Sequence, residues 1–291
     1  MNLLTCTLPG IKKLRSGKVR EVFEVPNHDD QLLVVTTDRI SAFDCILPNA
    51  IPGKGKVLNQ LSSFWFNKCN FIPNHLITTD VEKYPQELQA YAEELQERSM
   101  IVKKTTPLPI ECVVRGYLAG SGWNEYQRHG TLAGVPLPTG LCQAEKLPEV
   151  FFTPSTKAEE GHDEPISWEQ CKKILGDCVA TEVRKMSIAL YEHGRDYAAT
   201  HGIIIADTKF EFGLLDDKII LIDECMTPDS SRFWPMDQYV VGENPPSFDK
   251  QFLRDYLESC GWNKMPPAPE LPDEIVTKTA EKYHEALFKL L

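Results

Sequence analysis

IIIADTKFEFG, residues 203–213, decides the fold. Three isoleucines root a buried strand, and then Asp207, Lys209 and Glu211 alternate with Thr208, Phe210 and Phe212. Successive side chains of a strand point to opposite faces, so the three charges share one face and their apolar partners the other. A short turn at LLDDK leads to a second apolar run that ends acidic, IILIDE (219–224), close enough to pair as a hairpin. A loop with an odd number of residues puts Glu211 and Asp223 on one face. A two-residue loop puts Glu224 there instead, and the sequence leaves the register open. Either way, two carboxylates gather near Lys209. Such hard oxygen donors suit Mg²⁺, which keeps its waters and bridges nucleotide phosphates. A solvated face with cross-strand ion pairs is the plainer alternative. The flanking Ile and Phe runs weigh against it, because they bury both ends.

Outward from this hairpin the chain reads as α+β. VREVFEV (19–25) and QLLVVTTD (31–38) form a hairpin about the turn cluster PNHDD. VLNQLSSFWF (57–66) has helical spacing. So does 82–98, through Tyr84, Leu88, Tyr91 and Leu95, which predicts a helix. MIVKKTTPLPIECVVRGYL (100–118) gives two extended pieces around a proline-containing link. Residues 119–168, rich in Gly, Pro, Ser and Thr, predict a long functional loop. Residues 167–201 predict one long helix capped by Ser167, and 247–260 and 272–290 two more. Strands are expected to be largely antiparallel, with helices segregated. The expected organisation is a β-rich unit at 1–106, an α+β unit at 107–245 carrying the chemistry, and a helical segment at 246–291 packed on both.

The 291 residues carry a net charge of −11. That excludes a general nucleic-acid binder, which needs clustered cations, but not a small anion held by a few local ones. Nine cysteines lack zinc-ligand spacing and read as small buried hydrophobes in a reducing compartment. There is no signal-peptide pattern and no apolar run of about twenty residues. A cytosolic protein with no membrane association is expected.

Four further constellations carry chemistry. SGKVREV places Gly17, Lys18 and Arg20 at the start of a strand, where a glycine admits a phosphate to the backbone and the cations supply charge; it is neither a Walker motif nor GxGxxG. TPDSSRFW offers Asp229, Ser230 and Arg232 as an oxyanion clamp, and VVRGYLAGSGW offers Arg115 and Ser121. FTPSTKAEEGHD adds Lys157 and His162, the latter an acid–base candidate. TTDRISAFD adds Asp44.

Taken together and in this order, SGKVREVFEV, TTDRISAFD, ECVVRGYLAGSGW, FTPSTKAEEGHDE, IIIADTKFEFG and CMTPDSSRFWP resemble the SAICAR synthetase family, in its longer fungal form, over nearly the whole chain. The resemblance implies an antiparallel-sheet domain and a larger α+β domain clamping ATP in a kinase-like cleft. It implies an ATP-dependent ligase that joins L-aspartate to the carboxylate of carboxyaminoimidazole ribonucleotide (CAIR), with Mg²⁺, and it is compatible with a monomer. By the same resemblance Gly17, Lys18, Arg20, Lys103 and Glu111 serve ATP, with 102–111 as the adenine hinge, and Glu211 and Asp223 ligate Mg²⁺. Asp44, Arg115, Ser121, Lys209 and Arg232 serve CAIR. Lys209 and Asp207 are the catalytic pair, and Lys157, His162, Asp229 and Ser230 lie where aspartate binds. Two rivals stand beside this reading. A small-molecule kinase would use the same Mg-phosphate floor without aspartate, and a nucleotide sensor would have no need of Lys209, Glu211 and Asp223 together.

Overall fold

The computed structural model describes residues 2–157, 163–248 and 250–291. The chain opens with β1 (Lys13–Ser16), β2 (Arg20–Val25) and β3 (His28–Thr36), followed by a small hairpin of β4 (Arg39–Ala42) and β5 (Cys45–Ala50). Helix α1 (Lys54–Lys68), β6 (Leu76–Thr78), α2 (Gln86–Gln89), α3 (Ala92–Leu95) and β7 (Ser99–Lys103) follow. An antiparallel five-stranded sheet forms in the order β1-β2-β3-β7-β6. The hairpin turn is tighter than the five-residue cluster predicts, since Val25 already pairs with His28 across Pro26 and a left-handed Asn27.

The helix expected over 82–98 is broken. Tyr84, before Pro85, is extended (φ −72°, ψ 153°), as a residue preceding proline prefers, and a 3-10 turn at Val81–Lys83 and the single turns α2 and α3 form instead. The apolar spacing still marks the buried face, for Tyr84, Leu88 and Leu95 pack on Phe23, Leu33 and Val35 of the sheet.

The second half comprises β8 (Thr106–Pro107), β9 (Ile110–Tyr117), α4 (Gly120–His129), β10 (Thr131–Leu132), β11 (Val135–Pro136), β12 (Lys146–Phe152), β13 (Ser155–Thr156), α5 (Trp168–Leu175), α6 (Asp177–Ala199), β14 (Ile203–Leu215), β15 (Lys218–Ile222), β16 (Ser231–Pro235), α7 (Gln251–Ser259) and α8 (Asp273–Leu290). The long loop expected at 119–168 is thus partly regular. The helix there is weakly marked in the sequence, because α4 fully buries only Gly122 and its apolar face is just Trp123 and Tyr126, half-buried against Leu132 and Leu147. The helix expected over 167–201 is two, divided at Gly176, whose φ of 80° suits glycine. Ser167 does cap α5, in a reciprocal capping box with Gln170.

Strand β14 is the spine of the second sheet, which is also antiparallel. One edge pairs with β9 and β8, the other with β16 along its first half and β15 along its second. The β14–β15 turn is two residues, Asp216 and Asp217, both left-handed (φ 48° and 60°), and it sets Glu211 opposite Ile222. Phe210 and Phe212 enter the main core with Val183, Met186 and Leu190 of α6 and Trp65 of α1. Each buried aromatic contributes roughly 2–3 kcal/mol. Between the sheets, His75 N–H donates to Leu221 O at 3.0 Å, and Leu221 N–H to Pro73 O at 2.9 Å. Helix α8 closes on α1 so tightly that a Cβ on Gly53 (φ 74°) would lie 2.9 Å from His284 Nε2.

Candidate active site

The charged face of β14 looks onto the seam between the two sheets. Strand alternation sends Thr208, Phe210 and Phe212 into the protein, so Asp207, Lys209 and Glu211 meet the polar side chains of neighbouring strands. Lys209 donates to Glu111 of β9 and lies 3.6 Å from Glu211, and Glu211 is also paired with Lys157. Burial alone would drive the Lys209 ammonium down, but Glu111, Glu211 and Asp223 outweigh it and raise its pKa. Burial alone would likewise raise Glu211, yet Lys209 and Lys157 hold it below the usual carboxylate range. Glu111 moves the other way, raised because its burial exceeds what Lys209 returns.

The two-residue turn does not leave Asp223 stranded. Strand β15 ends at Ile222, and Asp223 takes a left-handed backbone (φ 63°), a conformation Asp tolerates better than most residues. Its carboxylate meets Arg20 Nη1 at 2.9 Å, while Glu224 meets Arg20 Nη2 at 2.8 Å. Both candidate acidic residues therefore gather on one guanidinium from the other sheet. This half-buried bridge also ties the sheets together. Glu224 in turn accepts from Thr227.

At the other end of the face, Asp207 is held between Arg115 (2.8 Å) and Arg232. Arg115 further donates to Thr153 Oγ1 and Ser121 Oγ, both at 3.0 Å. Gly120 opens α4 here with φ 54°, and a Cβ on it would lie 2.1 Å from Arg232 Nη2. Two guanidiniums facing one carboxylate beside a helix N-terminus leave positive potential for an oxyanion. A small pocket of about 100 Å³ lies alongside, between Asp207, Ser230, Ser231, Arg232, Lys250 and Arg254.

Other expected residues are distributed around these clusters. Lys18 pairs with Asp44 on the outer surface of the seam. Gly17 closes a tight turn, its N–H donating to Arg20 O at 2.7 Å. Lys103 Nζ turns to the Asn74 carbonyl at 3.3 Å. His162 lies outside the described residues. Asp229 has both its oxygens engaged internally. Oδ1 accepts from Tyr283 at 2.6 Å, and Oδ2 from Lys54 at 2.8 Å and Lys250 at 3.1 Å. Its neighbour Ser230 faces the pocket. The Arg20 guanidinium is shared by Asp223 and Glu224.

Glu224 is the residue that the two-residue turn puts on the face, as the sequence allows for that loop length, whereas sequence reasoning passed over Lys54, Lys250, Arg254 and Tyr283. Only Lys54 carried a signal, in the glycine-and-lysine run PGKGK (52–56) ahead of a helix. The donor set at Glu211, Asp223 and Glu224 is entirely hard oxygen, counter-charged by ammonium and guanidinium groups. It fits a divalent ion that takes one or two carboxylates and completes its shell with phosphate and water. No group of three or more metal-ligating side chains occurs among the described residues.

A family model described as SAICAR synthetase matches residues 13–269. The phosphoribosylaminoimidazole-succinocarboxamide synthase of Geobacter sulfurreducens is 56% identical over 290 residues, covering 99% of this chain and 97% of the relative. The enzyme of the same name from Trichlorobacter lovleyi is 57% identical over 284 residues, covering 97% and 95%. Among solved structures, SAICAR synthase from Saccharomyces cerevisiae complexed with SAICAR superposes with a TM-score of 0.89 at 42% identity, covering 99% of this chain and 98% of that one. A SAICAR synthetase in complex with ADP superposes with a TM-score of 0.68 at 26% identity, covering 95% and 96%. The longer form expected from the fungal resemblance therefore occurs in bacterial relatives as well.

Proposed function

Since the chain belongs to the SAICAR synthetase family, we infer that it is the ATP-dependent ligase that joins L-aspartate to the carboxylate of CAIR in purine biosynthesis, releasing ADP and phosphate. A carboxylate resists attack by an amine because its leaving group would be oxide. Transfer of the ATP γ-phosphoryl group to that carboxylate gives an acyl phosphate. The aspartate amine then attacks the acyl carbon, the C–O bond to phosphate breaks, and the amine proton passes to solvent or phosphate. Such catalysis is chiefly positioning and electrostatic stabilisation.

The division of labour follows from where the charges sit. The observation that carries the reading is the Glu111–Lys209–Glu211–Lys157 chain facing Arg20, Asp223 and Glu224 across the seam. Lys209, kept protonated by its acidic neighbours, holds the CAIR carboxylate beside the transferred phosphoryl group. Glu211 and Asp223 would hold Mg²⁺, which when bound neutralises the phosphate charge. Arg20 fixes the angle of Asp223, and Gly17 and Lys18 approach the ATP phosphates. Lys103 and the 102–111 hinge border the adenine, with Glu111 towards the ribose. Arg115, Ser121 and Arg232 hold the CAIR phosphate, with Asp207 setting both guanidiniums and Asp44 at the margin. Ser230 and Lys157 face the aspartate. Residues 1–106 supply the nucleotide side and 107–245 the CAIR side.

ADP release measured with CAIR, with and without L-aspartate, tests this. Multiple turnovers that require aspartate are expected, and Glu211→Gln should lower them at least 100-fold. Aspartate-independent steady turnover would instead establish a small-molecule kinase.

A further inference from the structure

Helix α8 begins at Asp273, beyond the 13–269 span matched by the family model. It nevertheless reaches the site, because Tyr283 is wholly buried and its hydroxyl ends on Asp229 in the segment that carries Ser230 and Arg232. We propose that Tyr283 is a positioning residue: with Lys54 it saturates Asp229, so that Lys250 and the 227–232 loop stay aimed at an incoming oxyanion. The proposal rests on the reading of that loop as part of the ligase's substrate site.

Charge accounting carries the inference. One carboxylate, Asp229, stands between two ammoniums, Lys54 and Lys250. Lys54 has no exposure, and burial pushes its pKa down to about 8 against the pull of Asp229. It is a structural cation that no ligand can reach. Lys250 and Arg254, one helical turn apart, line the polar pocket with Ser230 and Arg232. The Tyr283 hydroxyl occupies Oδ1 and thereby fixes the carboxylate rotamer, keeping Oδ2 shared between the two lysines. Without that donor the carboxylate can rotate and bring both oxygens to Lys250, quenching the charge that faces the pocket.

The far side of the loop is tied to β14, where Lys209 N–H donates to Ser230 O at 2.9 Å, the Thr208 and Ser231 hydroxyls meet at 2.8 Å, and Arg232 pairs with Asp207. The Asp229 N–H donates to Thr227 Oγ1 at 3.2 Å, and Ser231 N–H to Thr227 O at 2.9 Å. Its link towards α1, Lys250 and α8 is the Asp229 carboxylate. The oxyanion is either the CAIR phosphate or an aspartate carboxylate, and kinetics separates them.

The test uses Tyr283→Phe in the full chain, which keeps the ring and its stacking under Lys54 (5.4 Å) and deletes only the hydroxyl. The expected result is an apparent KM raised about tenfold, equivalent to about 1.4 kcal/mol, for CAIR or for L-aspartate. The KM for ATP should stay within twofold. Adding Tyr283→Phe to Asp229→Asn should change the affected KM by less than twofold, because both act through one group. Calorimetric binding of inorganic phosphate and of L-aspartate should show the same selective loss. Unchanged KM values and binding, with only a lower melting temperature, would reduce Tyr283 to core packing and overturn the proposal. Absence of aspartate-dependent turnover in the wild-type protein would sink the ligase reading instead, while the phosphate titration still reports on Tyr283.

Discussion

Asp223 and His75 show how single residues shape the seam. The left-handed turn at Asp223 brings its carboxylate to Arg20, and His75 sits directly behind it, buried and edge-on to Phe66. Burial pushes the His75 imidazole down to about 4, with Asp223 opposing and Arg20 reinforcing the shift. The sign follows from linkage. Between about pH 6.5 and 4 the unfolded chain takes up a proton that the native protein refuses, so stability is full above the unfolded value and is lost as pH falls through this window. The loss amounts to about 3 kcal/mol on a shift of this size. Urea unfolding of wild type and His75→Gln across pH 7 to 4 should show their difference shrinking by roughly that amount. Parallel pH profiles would mean that His75 is not buried neutral. This residue is not legible in the sequence, because one histidine in FIPNHLITT carries no periodic or motif signal.

Among the elements, α4 illustrates how a backbone conformation reserved for glycine serves a site. Gly120 has φ 54° and lies against Arg232, so Gly120→Ala both strains the backbone and displaces the guanidinium. The expected outcome is a CAIR KM raised more than tenfold with the ATP KM little changed, measured by steady-state kinetics; equal effects on both would point to a general distortion. This element is faint in the pattern of apolar residues, since its face is only two half-buried aromatics, Trp123 and Tyr126, among glycines and polar residues. The β14 hairpin was legible because alternation of charge with Phe records a two-faced strand. Its loop length was not, because LLDDK allows more than one turn, and only two consecutive left-handed aspartates settle the register. The break at Gly176 and the collapse of 82–98 into single turns have the same cause: apolar spacing reports the buried face, not the continuity of the backbone.

Across the whole molecule, the two sheets meet through a few bridges: Arg20 to Asp223 and Glu224, and the strand contact at 73–75 with Leu221. On the proposed reading, a nucleotide bound there would contact both halves and stabilise them jointly, by about 2.7 kcal/mol at a hundredfold excess over Kd. Mg-ADP should therefore raise the melting temperature by a few degrees in a thermal scan, and EDTA should remove most of that gain. An undiminished rise in EDTA would show that the carboxylates of the seam do not act through a metal ion. The residues that assemble here from distant positions, Lys54, Lys250 and Tyr283, could not be read from spacing, because their proximity exists only after α1, α7 and α8 have packed. The paired state of the seam has a further consequence. Its guanidiniums and ammoniums already hold carboxylate oxygens, so an arriving anion must trade places with a resident side chain. A simple monocarboxylate offers no more than the group it would evict, whereas a tetrahedral phosphate presents a third oxygen. Displacement is therefore favoured for an anion that is anchored at further points by a larger ligand, and not for one that arrives alone.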